Sequence, residues 1–199
     1  MIRWPRIGEV GAVAALLASG IAFLIKTPYL SLGFNSLFGA LFLAAVYGLV
    51  SRCFNLQIPL GLLGLVFAAL QVDTLGNYFH LYGTQVGPIR YDEFAHLLVQ
   101  ALAAPIVVWL AVRSFATAGY HLPLGVVSLL AAQAMFSVSA FYEVLELWDE
   151  VAFGGQRIWS LHDTAEDLQW DLCGILIGVL LANVVLRHQV RSGEPRHLG

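Results

Sequence analysis

The residues able to do chemistry in this sequence are carboxylates, histidines and a few amides, and they fall at helical spacing. Asp163, Asp167 and Asp171 follow i, i+4, i+8, and Asp92 and His96 follow i, i+4 with Gln100 one turn further on. Glu143 and Glu146 are i, i+3, while Asp73, Asn77 and His80 are i, i+4, i+7. Side chains at these spacings share one face of a helix. Carboxylates with one or two imidazoles suit a divalent cation: oxygen-only sets suit Mg, Ca or Mn, and mixed sets suit Zn or Fe. So many acids close together cannot all stay ionised without a cation. The expected ligands are Asp92, His96, Glu143, Glu146, Asp167 and Asp171. Asp73, Asn77, His80, Gln100, Asp163 and Trp170 are expected to support them. Glu143 and Asp167 are the candidates for a catalytic carboxylate left over as general base. The metal itself, whether Zn, Mg, Mn, Ca or Fe, is not distinguished by these residue types. Glu93-x-x-His96 matches one half of the carboxylate-histidine element of di-iron bundles, but only one copy is present. No nucleophile elbow, His-Glu-x-x-His or phosphate-cradling glycine loop occurs.

Elements of membrane type must position these groups. The 199 residues are 59% hydrophobic and 12% charged, with mean hydropathy +0.77. A soluble domain carries about 25% charged residues. The composition therefore excludes a soluble globular domain, a disordered chain and a disulfide scaffold. A bilayer core of about 30 Å needs roughly 20 helical residues, and charges cut the chain into apolar runs of that size. Six spans are expected: residues 10–25, within 27–51, 58–80, 91–112, 122–146 and 163–186. The expected fold class is an all-α polytopic bundle, one domain over residues 1–186. A basic polar tail at 187–199 is expected to be disordered or to lie on the anionic inner leaflet. The apolar start is read as a retained span, since no cleavage site precedes a soluble domain. No repeated alternating ten-residue segments suggest a barrel.

Charge placement orients the bundle. With both termini in the cytoplasm, seven arginines (3, 6, 52, 113, 187, 191 and 196) lie inside and Lys26, Arg90 and Arg157 lie outside, as the positive-inside rule prefers. Of 13 acids, 11 then fall at the outer ends of the third to sixth spans or in the loops there, and only Glu9 and Glu194 lie inside. The outer half is near −8 and the inner half near +5. Asp149, Glu150 and Glu166 are expected to be solvated. Asp171 is different: residues 172–186 rise only about 22 Å as a helix, so the last span crosses only if Asp171 enters the bilayer. An acid there turns towards the bundle interior. Trp148, Trp159 and Trp170 suit an interfacial aromatic belt.

Small residues recur at packing spacing. Ala40, Ala44 and Gly48 share one face, as do Gly174, Gly178 and Ala182. Such stripes serve helix packing within the bundle or a dimer interface. Cys53 and Cys173 have no metal or redox spacing. A pI near 6.0 without a basic stripe gives no support to nucleic-acid binding. The expected partners are membrane lipids and a membrane protein partner, with dimerisation through Gly174, Gly178 and Ala182 as an option.

Two blocks carry a family resemblance over about residues 70–180. One is Asp73-Thr-Leu-Gly-Asn77 followed by Tyr91-Asp92-Glu-Phe-Ala-His96. The other is Tyr142-Glu143-Val-Leu-Glu146 followed by Asp167-Leu-Gln-Trp-Asp171 and Gly178. They resemble the bacterial six-helix inner-membrane proteins of the YjdF type, which look related to VanZ-like proteins. That family shows a similar Tyr-Asp with a histidine four residues after the Asp, then Glu-x-x-Glu, then Asp-x-Gln-x-Asp. Its Gly-Asp-x-Trp-Asp run is replaced here by Leu161-His162-Asp163-Thr-Ala-Glu-Asp167, with the first acid offset by one. The resemblance implies a fold, a shared polar cluster and the bacterial inner membrane. It implies no reaction, although VanZ-like relatives are associated with glycopeptide resistance and hence with the cell envelope.

Three functions fit these residues. A metal-dependent hydrolase would act on a lipid or envelope precursor at the outer leaflet, with one carboxylate as general base. A non-catalytic subunit or assembly factor would dock a partner through the acidic face. A proton- or cation-coupled transporter would need a path to the cytoplasm, for which the inner half offers few polar groups and no inverted repeat.

Overall fold

A computed structural model describes residue 48, residues 58–154, 158, 160 and 162–191. The first two expected spans, the Ala40/Ala44 stripe, Cys53 and the end of the tail lie outside the described residues. The order is α1 (Leu60–Tyr78), β1 (Gln85–Val86), β2 (Ile89–Arg90), α2 (Tyr91–Thr117), α3 (Leu124–Phe153) and α4 (Asp163–Arg191). The chain forms two compact units divided after Tyr82.

The span count needs correction. The six-span bundle placed four spans in residues 58–186, whereas only three described helices are long and apolar enough to cross a membrane: Tyr91–Thr117, Leu124–Phe153 and Asp163–His188. The third expected span falls short for a physical reason. Its apolar helix covers only Leu60–Gly76, about 25 Å at 1.5 Å per residue, less than a bilayer core. His80 then takes a left-handed backbone, φ 54°, which a helix cannot continue through. Counting apolar runs between charges overlooked this stop. The all-α expectation is also modified by a small antiparallel hairpin, Gln85 opposite Arg90 and Val86 opposite Ile89. In α1's unit, the Tyr82 hydroxyl donates to Asp73 Oδ1 at 2.7 Å.

The second unit positions the acids. The hairpin runs straight into α2, where the Arg90 amide donates to Glu93 Oε2 at 3.0 Å, half of a capping box. Asp92 and Glu93 occupy the first turn of α2, where the exposed amide dipoles favour negative charge. α3 ends at Gly154, whose φ of 73° is the left-handed cap that glycine adopts without a side-chain clash. α2 and α4 pack most closely. A Cβ on Gly174 would collide with the Leu97 carbonyl oxygen, and one on Gly178 would lie 2.5 Å from the Ala101 oxygen and 2.7 Å from Ala104 Cβ. The glycine stripe is thus spent on α2 of the same chain. Pro105 lies inside α2 and has no N–H to return to the Ala101 carbonyl. That carbonyl is the one Gly178 approaches, a contact that suits a Cα–H donor.

Beneath the acids lies an apolar core of Ala104, Val108, Ala131, Met135, Ile175 and Val179. Two polar pairs bracket it. On the acidic side the Gln100 amide donates to Ser139 Oγ at 2.8 Å. On the far side Ser128 Oγ donates to Asn183 Oδ1 at 2.9 Å. Arg113 sits over the Trp109 ring near that far end, 5.6 Å from its centroid.

Candidate functional site

The starts of α2 and α4 and the end of α3 bring four carboxylates around one imidazole. His96 is the centre. Its Nδ1 lies 3.0 Å from Asp171 Oδ1. Its Nε2 faces Asp92 Oδ1 at 3.9 Å and Asp167 Oδ1 at 3.8 Å. Two triads have ligand atoms all within 4.8 Å of one another: Asp92, His96 and Asp167, and His96, Glu143 and Asp171. The spacing of α4 makes this possible, since Asp163, Asp167 and Asp171 fall on its buried face, each 2–3% exposed.

These acids are withdrawn from water without full compensation. Glu143 is 4% exposed. Its Oε1 and the Oδ1 of Asp167 have no hydrogen-bond partner. The Thr164 side chain bonds the Glu143 carboxylate. Buried polar atoms are nearly always paired, so two orphan carboxylate oxygens beside one imidazole require an explanation. A proton or a cation held between them is the simplest physical one.

Arg90 forms the rim. Its guanidinium meets Glu93 Oε1 at 3.2 Å, Asp163 Oδ1 at 3.4 Å and Glu166 Oε2 at 2.9 Å. Burial works against its charge, but the Glu93 and Asp163 carboxylates outweigh that and hold its pKa above the ordinary arginine value. Three acids thus absorb this cation. Asp163 belongs to the rim and also lies within electrostatic reach of Asp92 and Asp167.

Five of the six expected ligands, Asp92, His96, Glu143, Asp167 and Asp171, meet in the two triads. Glu146 lies beside them, within electrostatic reach of Glu143 and Asp92. It lines a cleft of about 220 Å³ with Tyr142, Leu145 and Asp149. Gln100 supports from one turn below through Ser139. Trp170 is half-buried. Asp73 and His80 belong to α1's unit, and the side chain of Asn77 lies outside the described ones. The di-iron match of Glu93 is not realised, because Glu93 caps α2 and binds Arg90. Two acids expected in solvent are engaged. Glu166 pairs with Arg90, and Glu150 Oε2 accepts from the Ile158 amide at 3.2 Å. Sequence reasoning missed Ser139 and Thr164. Ser139 is four residues before Glu143, a helical spacing that could have flagged it.

The chain belongs to the family described as "Predicted membrane protein (DUF2238)", whose model matches residues 9–192. No curated protein and no solved structure matches it. With three apolar helices of spanning length, it is a multi-pass membrane protein with a buried acidic and histidine cluster.

Proposed function

We propose that this member of the family binds a divalent cation between Asp92, His96 and Asp167. The reading rests on the orphan Oδ1 of Asp167, buried and facing His96 Nε2. The donor set fits. His96 would present Nε2, while its Nδ1–H donates to Asp171, the carboxylate–histidine arrangement that fixes a metal-binding ring. One nitrogen with carboxylates suits Zn, Mn or Fe better than Ca or Mg. The bound ion would supply Lewis-acid polarisation of an ester or phosphoryl oxygen. Glu143, whose Oε1 is unpartnered, would accept a proton from an attacking water whenever that oxygen carries no cation.

The activity this supports is hydrolysis of a lipid or cell-envelope precursor. The cleft of Tyr142, Leu145, Glu146 and Asp149 has one apolar and three polar or amphipathic walls, which suits an amphiphile. The acidic end is read as extracytoplasmic, because Arg113 and Arg187 lie towards the opposite ends of α2 and α4. The resemblance to YjdF-type and VanZ-like proteins supports the bacterial inner membrane. Acids that converge inwards favour a bound ion over a partner docked on a solvated acidic face. Among the described residues, the apolar core beneath them gives a transported ion no ligands.

Metal analysis of the purified full-length protein tests the reading. Wild type should retain a divalent ion, and Asp167→Asn with Asp171→Asn should lose it. A wild-type protein that takes up no divalent metal from any of the five candidates would refute it. Hydrolysis is tested by headgroup release from liposomes, expected for wild type and lost in Glu143→Gln.

A further inference from the structure

The second triad lies on the other side of the His96 ring. Asp171 Oδ1 is 3.0 Å from Nδ1, and Glu143 completes a group whose ligand atoms fall within 4.8 Å. Each triad contains one orphan carboxylate oxygen on a side chain more than nine-tenths buried: Asp167 Oδ1 in the first and Glu143 Oε1 in the second.

Charge accounting separates the two. Asp92, Glu143, Asp167 and Asp171 carry four negative charges when ionised. Arg90 reaches only Asp92 among them, its guanidinium being engaged by Glu93, Asp163 and Glu166. One divalent cation leaves two carboxylate charges to be met by protons or by a second ion, since burial strongly disfavours bare ones. Two divalent cations bring the four carboxylates to neutrality.

We infer that the cluster holds a second cation, between Glu143 and Asp171, in addition to the one proposed above; the inference rests on that first site. The two positions differ in chemistry. A neutral imidazole has one lone pair, and the proposed first ion takes it at Nε2. The second ion then has carboxylate oxygens and solvent for ligands, a set that suits a hard cation such as Mg, Ca or Mn. It binds more weakly than the first and is the one that a magnesium or calcium salt fills.

Manganese serves as the probe because both ligand sets accept it. Full-length protein in detergent is stripped with a chelator, titrated with Mn²⁺ by calorimetry, and its bound manganese counted by elemental analysis. Two ions per chain are expected for wild type, in two resolved steps. Glu143→Gln and Asp92→Asn should each bind one, and Glu143→Asp should recover the second. Added Mg²⁺ should displace only the weaker manganese. Saturation of wild type at a single ion, with Glu143→Gln unchanged, would overturn the second position and leave the first standing. No binding at all by wild type would overturn both. Should Glu143→Gln fail to elute as a monodisperse helical protein, the wild-type count and Glu143→Asp decide the matter.

Discussion

Replacing Gly178 by alanine puts a methyl group where α4 meets the backbone of α2. The added carbon would lie 2.5 Å from the Ala101 carbonyl oxygen, 2.7 Å from Ala104 Cβ and 3.1 Å from the Ala101 carbonyl carbon, where ordinary contact begins at 3.4 Å. None of these atoms is the end of a flexible side chain, so the helices themselves must part, by up to ~1 Å. A gap of that size forfeits a quarter to a half of each contact's dispersion energy along the seam, which includes Ile175, Val179 and Val108. Overpacking of this kind costs about 1–3 kcal/mol. Alanine's better helix propensity returns up to ~1 kcal/mol, for a net loss of about 1–2 kcal/mol. For a chain of this size each kcal/mol moves Tm by about 2–4 °C, giving a drop of roughly 2–8 °C. The assay is thermal denaturation of purified protein in detergent. Gly125→Ala is the internal control, since a Cβ there meets nothing within 4 Å. The packing argument fails if Gly178→Ala melts at or above wild type while Gly125→Ala does the same.

Other perturbations probe the site. Asp171→Asn should weaken binding of the first ion by about 10–100-fold, as loss of an orienting carboxylate does; a competition titration measures it. Arg90→Ala should lower stability by about 1–2 kcal/mol, because buried Asp163 loses its guanidinium, discounted for the 30% exposure of Arg90. Glu166→Gln, whose carboxylate is 42% exposed, should cost no more than ~1 kcal/mol, so melting curves should rank the two. Ser139→Ala strands the Gln100 amide and should cost about 1–3 kcal/mol. Manganese at 100 times its dissociation constant should stabilise wild type by about 2.7 kcal/mol, and a chelator should reverse the shift in Tm.

The acids of α4 were legible because their four-residue spacing is a property of any helix, and the shortness of the apolar run after Asp171 forced that face inwards. Gly174 and Gly178 were legible for the same reason. Their partner was not, since the stripe says only that something comes close. Glu93 shows the main limit. Its spacing to His96 suggests a ligand, but its actual role depends on Arg90, three residues earlier, turning back as a helix cap and reaching α4. The ion pairs of Asp163 and Glu166 come from residues more than 70 positions away, and no local pattern encodes them. The third span was misjudged because hydropathy registers an apolar run and not the backbone reversal at His80.

The layer of Ala104, Val108, Ala131, Met135 and Val179 has an electrical meaning. It separates the cluster from the Ser128–Asn183 pair with side chains that offer an ion nothing to bind. Among the described residues of this unit nothing leads a cation onward, so a bound one would leave by the end at which it arrived. Moving an elementary charge through a membrane potential of 100 mV exchanges about 2.3 kcal/mol, and an ion that returns the way it came exchanges none of it. Occupancy of the proposed site would then follow the free-ion concentration on the acidic side, with a voltage dependence set by how deep in the bilayer Asp171 lies.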